Sequence, residues 1–305
     1  MTALFATRNR AAAELARTLG RLAATDLPLL LEGETGTGKS FLAARLHRRS
    51  RPKRPLVVLD CGALPAGLLP SELFGHRAGA FTDATASRVG FLERAGSGTL
   101  VLDRVDALAQ EAQVALLRVL EERRFSPVGG AAVRPFRARV IALAGAGTAA
   151  QLEAGVLRRD LYHRLAGFHA ELPPLRRRPE DVVPFARAVV RRLARRGGRR
   201  LALDAEAEAL LEVQPWPGNF RELAAVVERA CLLATGPRLG VAEVGLDAGN
   251  WPAVAGVASA RALPLERVTR LYALAVLAGE RGNVSRAARV LGVSRRTLIR
   301  WRQEP

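Results

Sequence analysis

Leu29-Leu30-Leu31-Glu32-Gly33-Glu34-Thr35-Gly36-Thr37-Gly38-Lys39-Ser40 is the stretch on which the reading of this chain turns. An apolar run passes at once into Gly-x-x-x-x-Gly-Lys-Ser, and a helical pattern opens directly after it with Phe41-Leu42-Ala43. Strand, glycine-rich loop and helix in that order is the context a phosphate-binding loop requires. Gly33, Gly36 and Gly38 let the backbone bend so that successive N–H groups, with Glu34, Thr35 and Thr37 between them, turn toward phosphate oxygens. The helix behind the loop adds the positive end of its dipole. Lys39 supplies a charge for β- and γ-phosphates and Ser40 a hydroxyl for magnesium. A glycine-rich turn with a chance lysine is the plain alternative, but it must produce eight motif positions and both flanks by accident.

Outward from the loop the pattern alternates. Apolar positions at helical spacing run from Asn9 to Ala24. Beyond the loop come a strand at Leu56-Val57-Val58-Leu59 ending in Asp60-Cys61-Gly62, and a second at Gly98-Thr99-Leu100-Val101-Leu102-Asp103. A helix is expected at Gln110–Arg123 and a strand at Arg139-Val140-Ile141-Ala142-Leu143. Alternating strands and helices imply an α/β domain with a parallel sheet. An acid ending an apolar strand after such a loop, here Asp103, holds magnesium through water.

From Pro179 to about Leu246 the pattern is helical, interrupted by Trp216-Pro217-Gly218. Asp247 to Ser259 lacks periodicity and reads as linker. Three short helices follow, Leu263–Ala278, Val284–Leu291 and Ser294–Trp301, with turns at Gly282-Asn283 and Gly292-Val293. That is helix-turn-helix spacing, with Ser294 placed to cap the third helix. Ala287 and Ala288 permit close packing, and Val290, Leu291, Val293 and Leu298 are expected to form a small core. Arg295, Arg296, Thr297 and Arg300 then lie on the exposed side, where a recognition helix meets base edges and phosphates. Glu280 to Pro305 holds seven arginines against two acids, which favours double-stranded DNA over a merely charged hairpin.

Composition sets the bounds. The 305 residues, 49% hydrophobic, suffice for one large domain and smaller ones, and 5% aromatics leaves a core of Leu, Val and Ala. A formal charge of +18 suggests a polyanionic partner, although an arginine-rich codon bias would inflate it. Cys61 and Cys231 are the two cysteines, and with four scattered histidines they argue against zinc and for a reduced, cytoplasmic setting. The N-terminus has no apolar signal region and no window reaches membrane-spanning length, so no membrane association is expected.

These residues resemble the sigma-54-dependent transcription activators, the bacterial enhancer-binding proteins, with an AAA+ domain and a Fis-type helix-turn-helix. Beyond the loop, the resemblance is carried by Ser71-Glu72-Leu73-Phe74-Gly75-His76, Gly79–Ala84, Gly90–Ala95, Leu116–Glu121, Arg159–Leu165, Leu172–Arg176 and Trp216–Leu223. It implies an α/β nucleotide-binding subdomain over residues 1–172, a helical lid over 173–246, a linker over 247–262 and a DNA-binding module over 263–305. No sensor domain is expected ahead of the loop. ATP and Mg2+ are the implied cofactors; double-stranded DNA, sigma-54 RNA polymerase and a homo-oligomeric ring are the implied partners. Arg158 and Arg164 match arginine fingers that reach a neighbour's ATP, and Arg221 matches the sensor arginine of the lid. Gly79, Ala80, Phe81, Thr82, Asp83 and Ala84 match the sigma-contact loop.

Four positions depart from the family pattern. Arg104 stands where a glutamate polarises the attacking water, and a guanidinium cannot accept a proton at neutral pH. Asp60 stands where an asparagine orients that glutamate. Ala144-Gly145 replaces the polar sensor residue, and Asp83 replaces a glycine at the tip of the sigma-contact loop. Nucleotide binding with weak or no turnover is the expectation, with Asp60 and Arg104 facing each other in a charge-assisted hydrogen bond that can be bidentate; independent drift of the two positions is the alternative. The rivals are a working ATPase using Asp106 or Glu93 as base, and a sigma-54-independent regulator using ATP only for assembly.

Overall fold

A computed structural model describes residues 7–63, 67–80, 86–244, 264–280 and 282–303. The expected linker and residues Phe81–Ala84 lie outside them. The chain divides into two compact units, one from Arg10 to Pro173 and the other from Pro174 onward together with Thr7–Asn9.

In the first unit, β1 (Leu29–Glu32), β2 (Leu56–Asp60), β3 (Thr99–Asp103), β4 (Arg139–Ala144) and β5 (Phe168–Glu171) form a parallel sheet. Its spatial order is β2-β3-β4-β1-β5. Among the described residues, seven helices surround it: α1 (Arg10–Leu22), α2 (Lys39–Ser50), α3 (Leu69–Phe74), α4 (Phe91–Ala95), α5 (Gln110–Glu122), α6 (Thr148–Glu153) and α7 (Arg159–Leu165). Strand side chains alternate between faces, and the parity is visible in the core. Leu30, Leu100, Leu102, Val140 and Ala142 pack with α3, α4, α5 and α7. Leu29, Leu31, Val101, Ile141 and Leu143 pack with α1 and α2. Burial on both faces explains why these strands read as continuous apolar runs. Because the sheet is parallel, the carboxyl ends of β1, β2 and β3 open on one edge.

Arg139 is an exception in that core. It is buried at the start of β4, donating from Nη1 to the Ala23 carbonyl (2.7 Å) and from Nη2 to that of Leu22 (2.9 Å). It thereby satisfies carbonyls that α1 leaves open at its C-terminal end. Burial pushes its guanidinium down to about 10.

In the second unit, α8 (Val182–Arg196), α9 (Ala205–Glu212), α10 (Asn219–Leu233) and α11 (Val241–Val244) enclose a core centred on Trp216, Leu223 and Val227. Asp204 caps α9, accepting from the Ala207 N–H at 2.8 Å. The Trp-Pro-Gly-Asn break between α9 and α10 is fastened by side chains. Trp216 Nε1 donates to the Leu211 carbonyl (2.9 Å), and Asn219 Oδ1 accepts from the Leu175 N–H (2.6 Å). Both residues are buried and take positive φ, 47° and 53°, an uncommon region for side chains of this size.

The same unit carries α12 (Leu265–Gly279), α13 (Val284–Leu291) and α14 (Arg295–Gln303), and α12 packs against α9 and α11 as well as its own module. Ala273, Val276, Leu277, Ala287, Ala288 and Leu298 form the module's core, with Val284, Leu291 and Val293 at its margin. One expectation fails here. Val290 is 61% exposed rather than core, because the buried face of α13 recurs at 284, 287, 288 and 291 and residue 290 falls off that stripe.

Candidate functional site

The loop after β1 has the conformation its glycines suggest. Gly33, Gly36 and Gly38 lie at φ 150°, 80° and 102°. At Gly33 the restriction is also one of space, since a Cβ there would stand 2.9 Å from the Leu172 carbonyl oxygen. Thr37, buried, closes the loop by donating from Oγ1 to the Glu34 carbonyl at 2.8 Å. α2 starts at Lys39, whose Nζ donates to the carbonyls of Gly33 (2.5 Å) and Glu34 (3.1 Å). The ammonium is thus curled into its own loop, held by neutral acceptors that an anion would outcompete.

Asp60 and Asp103 are register partners at the carboxyl ends of β2 and β3. Ser40 Oγ donates to Asp103 Oδ2 at 3.4 Å. A hydroxyl beside a carboxylate is an oxygen-only donor set, which suits magnesium rather than a softer metal. Cys61 lies buried behind this edge. Burial, helped by Asp60, Asp103 and Asp106, pushes its thiol up to about 12, so it stays protonated and takes no part.

Arg104 and Asp60 do meet, but the fork closes on one oxygen. Nε and Nη2 of Arg104 converge on Asp60 Oδ1 at 2.8 and 2.6 Å, and the same oxygen accepts from the Gly62 N–H at 3.1 Å. The guanidinium lies against Gly62, where any Cβ would come within 2.6 Å of its Cζ. Arg104 itself sits in the left-handed region, φ 55°, at roughly 1–2 kcal/mol for a residue with a side chain. Both side chains are about half exposed, 53% and 48%. Solvent screening therefore puts the pair at about 0–1 kcal/mol, below the roughly 1.5–3 kcal/mol of a charge-assisted bond shielded from water.

The two other acids considered as bases are already engaged. Asp106 Oδ2 accepts from the Gly145 N–H (3.2 Å) and from Gln151 Nε2 (3.3 Å). It thus fastens the turn after β4 where the polar sensor residue is absent. Glu93 forms an ion pair with Arg134.

The two arginines expected as fingers are placed by α7 and its entry. Arg158 pairs with Asp160 through Nε (3.1 Å) and Nη2 (2.6 Å), while its N–H donates to Gln113 Oε1 at 2.9 Å. Gln113 is fully buried and also donates to the carbonyls of Leu108 and Val156. Arg164 directs Nε and Nη2 to the Leu120 carbonyl at 3.2 and 2.9 Å. Arg221 belongs to the second unit, exposed in the first turn of α10. Of the stretch expected to contact the sigma factor, Gly79 and Ala80 are described, the Ala80 N–H donating to the Arg77 carbonyl at 3.1 Å.

Two residues that sequence reasoning missed position this edge. Glu32, the last residue of β1, accepts from the N–H groups of Gly147 and Thr148 (3.1 Å each) through Oε1. Its Oε2 meets His169 Nε2 at 2.9 Å. It ties the phosphate loop's strand to the start of α6. Gln113 is the other. Neither stands in a motif; a polar residue on an otherwise apolar helix face was the signal for Gln113.

In the helix-turn-helix, Asn283 Oδ1 accepts from the Arg286 N–H (3.1 Å) and Ser294 Oγ from the Thr297 N–H (3.0 Å), capping α13 and α14. Gly292 closes α13 in the left-handed conformation, φ 67°. Arg295, Arg296 and Arg300 are exposed on α14. Among the described residues no helix is long and apolar enough to cross a membrane.

Comparison with known proteins covers nearly all of the chain. Residues 5–171 match the sigma-54 interaction domain, 176–250 an AAA+ ATPase lid domain and 273–304 the Fis family of bacterial regulatory proteins. The transcriptional regulatory protein ZraR of Klebsiella oxytoca is 41% identical over 91% of this chain and 63% of its own length. Regulatory protein AtoC of Escherichia coli is 36% identical over 98% of this chain and 67% of its own. The chain thus spans roughly two thirds of these relatives. Crystal structures of NtrX from Brucella abortus superpose with TM-scores of 0.73 for the ADP complex and 0.71 for the ATP complex. They are 28% and 29% identical, and cover 97% and 98% of this chain and 68% of their own.

Proposed function

The chain belongs to the sigma-54 interaction domain family, and from that membership we propose a DNA-binding transcriptional regulator that binds Mg-ATP and turns it over slowly or not at all. The observation that carries this is an asymmetry on one edge of the sheet. The phosphate loop, Lys39, Ser40 and Asp103 keep the chemistry of binding, whereas the position for a general base holds Arg104, tied to Asp60. When bound, magnesium would be held by Ser40 and, through water, by Asp103, neutralising phosphate charge. Arg104 adds positive charge at that edge and supplies no proton acceptor. Similar proteins crystallised with ATP and with ADP support the nucleotide as ligand. Arg221, as sensor arginine, and Arg158 and Arg164, as fingers in a homo-oligomeric ring, are part of the same reading. Release of Arg164 from the Leu120 carbonyl and of Arg158 from Asp160 would free both for a neighbour's nucleotide.

The reading of DNA recognition rests on α14. Replacing Arg295 and Arg296 together with alanine is expected to weaken duplex binding at least about tenfold, at one bidentate contact's worth of roughly 1–3 kcal/mol, and to relax sequence preference. A gel-shift titration at fixed salt measures this, and unchanged affinity would contradict it. At the sigma factor, Asp83 brings a charged side chain to a position where the family carries a glycine. Promoter opening with sigma-54 polymerase is accordingly expected to be poor, and to improve in Asp83→Gly. Robust opening by the native chain would show that the aspartate is tolerated.

A further inference from the structure

The lid carries a second basic surface. Arg191 and Arg195 lie one turn apart on α8, and with Arg199, Arg200 and Arg238 they wall a groove at the end of that helix. The charges on α8 are sorted. Arg187 and Arg192 are neutralised by Glu208 and Glu228, whereas Arg191, Arg195, Arg200 and Arg238 are exposed and have no acidic partner among the described residues. Arg199 differs from them: it donates to the carbonyls of Cys231 (3.1 Å) and Ala234 and so closes the end of α10.

Four guanidinium groups left without counter-charge around one groove repel one another unless an anion neutralises them. The groove's volume, about 610 Å3, would admit a nucleotide. Its other lining residues are alanine, glycine, leucine and proline. They offer no aromatic face for a base, and no carboxylate, amide or hydroxyl for a ribose. What the groove can recognise is phosphate, repeated and without a base to read, which is the chemistry of a nucleic-acid backbone.

We infer that this groove is an auxiliary DNA-backbone site, adding sequence-independent phosphate contacts to those of α14. The inference rests on the DNA-binding reading of the helix-turn-helix. Both surfaces belong to the second unit, and α12 joins them physically by packing on α9 and α11 of the lid. Arg191, Arg195 and Arg238 supply charge, and neutralising each phosphate releases condensed counterions.

Fluorescence anisotropy of the full chain with a mixed-sequence duplex, across a salt series, tests the site. In Arg191→Gln/Arg195→Gln/Arg238→Gln, the slope of log K against log salt is expected to fall in magnitude by about 2–3, from about 0.9 per contact, equally for any duplex sequence. The corresponding triple lysine variant is expected to keep most of the slope, because charge rather than shape carries the contact. A native slope in the glutamine variant, with binding still weakened by Arg295→Ala/Arg296→Ala, overturns the groove and leaves the helix-turn-helix reading standing. Equal loss in the glutamine and lysine variants overturns it too, by showing a structural role. Calorimetry showing pyrophosphate bound through these arginines, with an unchanged DNA slope, assigns the groove to small phosphates instead. If the native chain shows no salt-dependent DNA binding at all, the DNA reading falls and this inference with it.

Discussion

In Lys39→Ala, Mg-ATP binding measured by calorimetry is expected to fall at least about 100-fold, to below detection at ordinary protein concentrations. Lys39 Nζ is held by the carbonyls of Gly33 and Glu34, which places it inside the loop whose N–H groups would meet the phosphates of a bound nucleotide. Exchange of these neutral acceptors for phosphate oxygens creates charge-assisted bonds worth roughly 1.5–3 kcal/mol each, and two of them account for the loss. Alanine is the best helix former, so the start of α2 survives and the melting temperature without nucleotide is expected to be unchanged. That control separates loss of binding from loss of fold. Equal affinity in the native chain and the variant would refute the phosphate-loop reading.

Restoring the base should restore chemistry. Combining Asp60→Asn with Arg104→Glu is expected to raise steady-state ATP turnover by about 100-fold or more, the scale of general-base catalysis. The swap removes a guanidinium that cannot accept a proton, installs a carboxylate at the same position after β3, and gives it an amide partner across the strand ends where Asp60 and Asp103 are in register. The space is already there, since Gly62 leaves room for a side chain larger than glutamate. Unchanged turnover with intact nucleotide affinity would move the block elsewhere, to the turn at Ala144-Gly145. A double-mutant cycle at Asp60 and Arg104, read as ATP affinity, reports how the coupling of the pair changes when nucleotide binds, and is expected to return only about 0–1 kcal/mol, because the pair is half exposed in the free chain. A larger coupling would mean that bound nucleotide shields the pair from water.

The phosphate loop, the alternation of strand and helix, and the capped helix-turn-helix were all legible along the chain because each is made by neighbours in sequence. Gly33 to Ser40 act within one loop, and the caps at Asn283 and Ser294 bond to residues three positions on. Val290 is exposed against expectation, although its position too is set locally. Apolar character alone does not imply burial, and the spacing of 284, 287, 288 and 291 excludes 290 from the buried stripe. The Asp60–Arg104 contact was anticipated because two substitutions fell on partner positions; that both nitrogens settle on a single oxygen was not.

By itself, then, the sequence determined the loop, the periodicities and the charge, since hydrogen bonding over three or four residues and hydrophobic spacing need no distant partner. Tertiary structure alone decided which polar groups are spent on the scaffold. Glu32 reaches Gly147 and Thr148, Arg139 reaches the end of α1, Gln113 reaches Arg158, and Asn219 reaches Leu175. Each of these links residues more than forty positions apart, and at Ala23, Thr148 and Leu175 the backbone group is one that packing has shut off from water and that must find a partner. The exposure of Asp60 and Arg104, and with it the modest strength of their pair, is set in the same way by what the strands and the turn at Gly62 leave open to solvent.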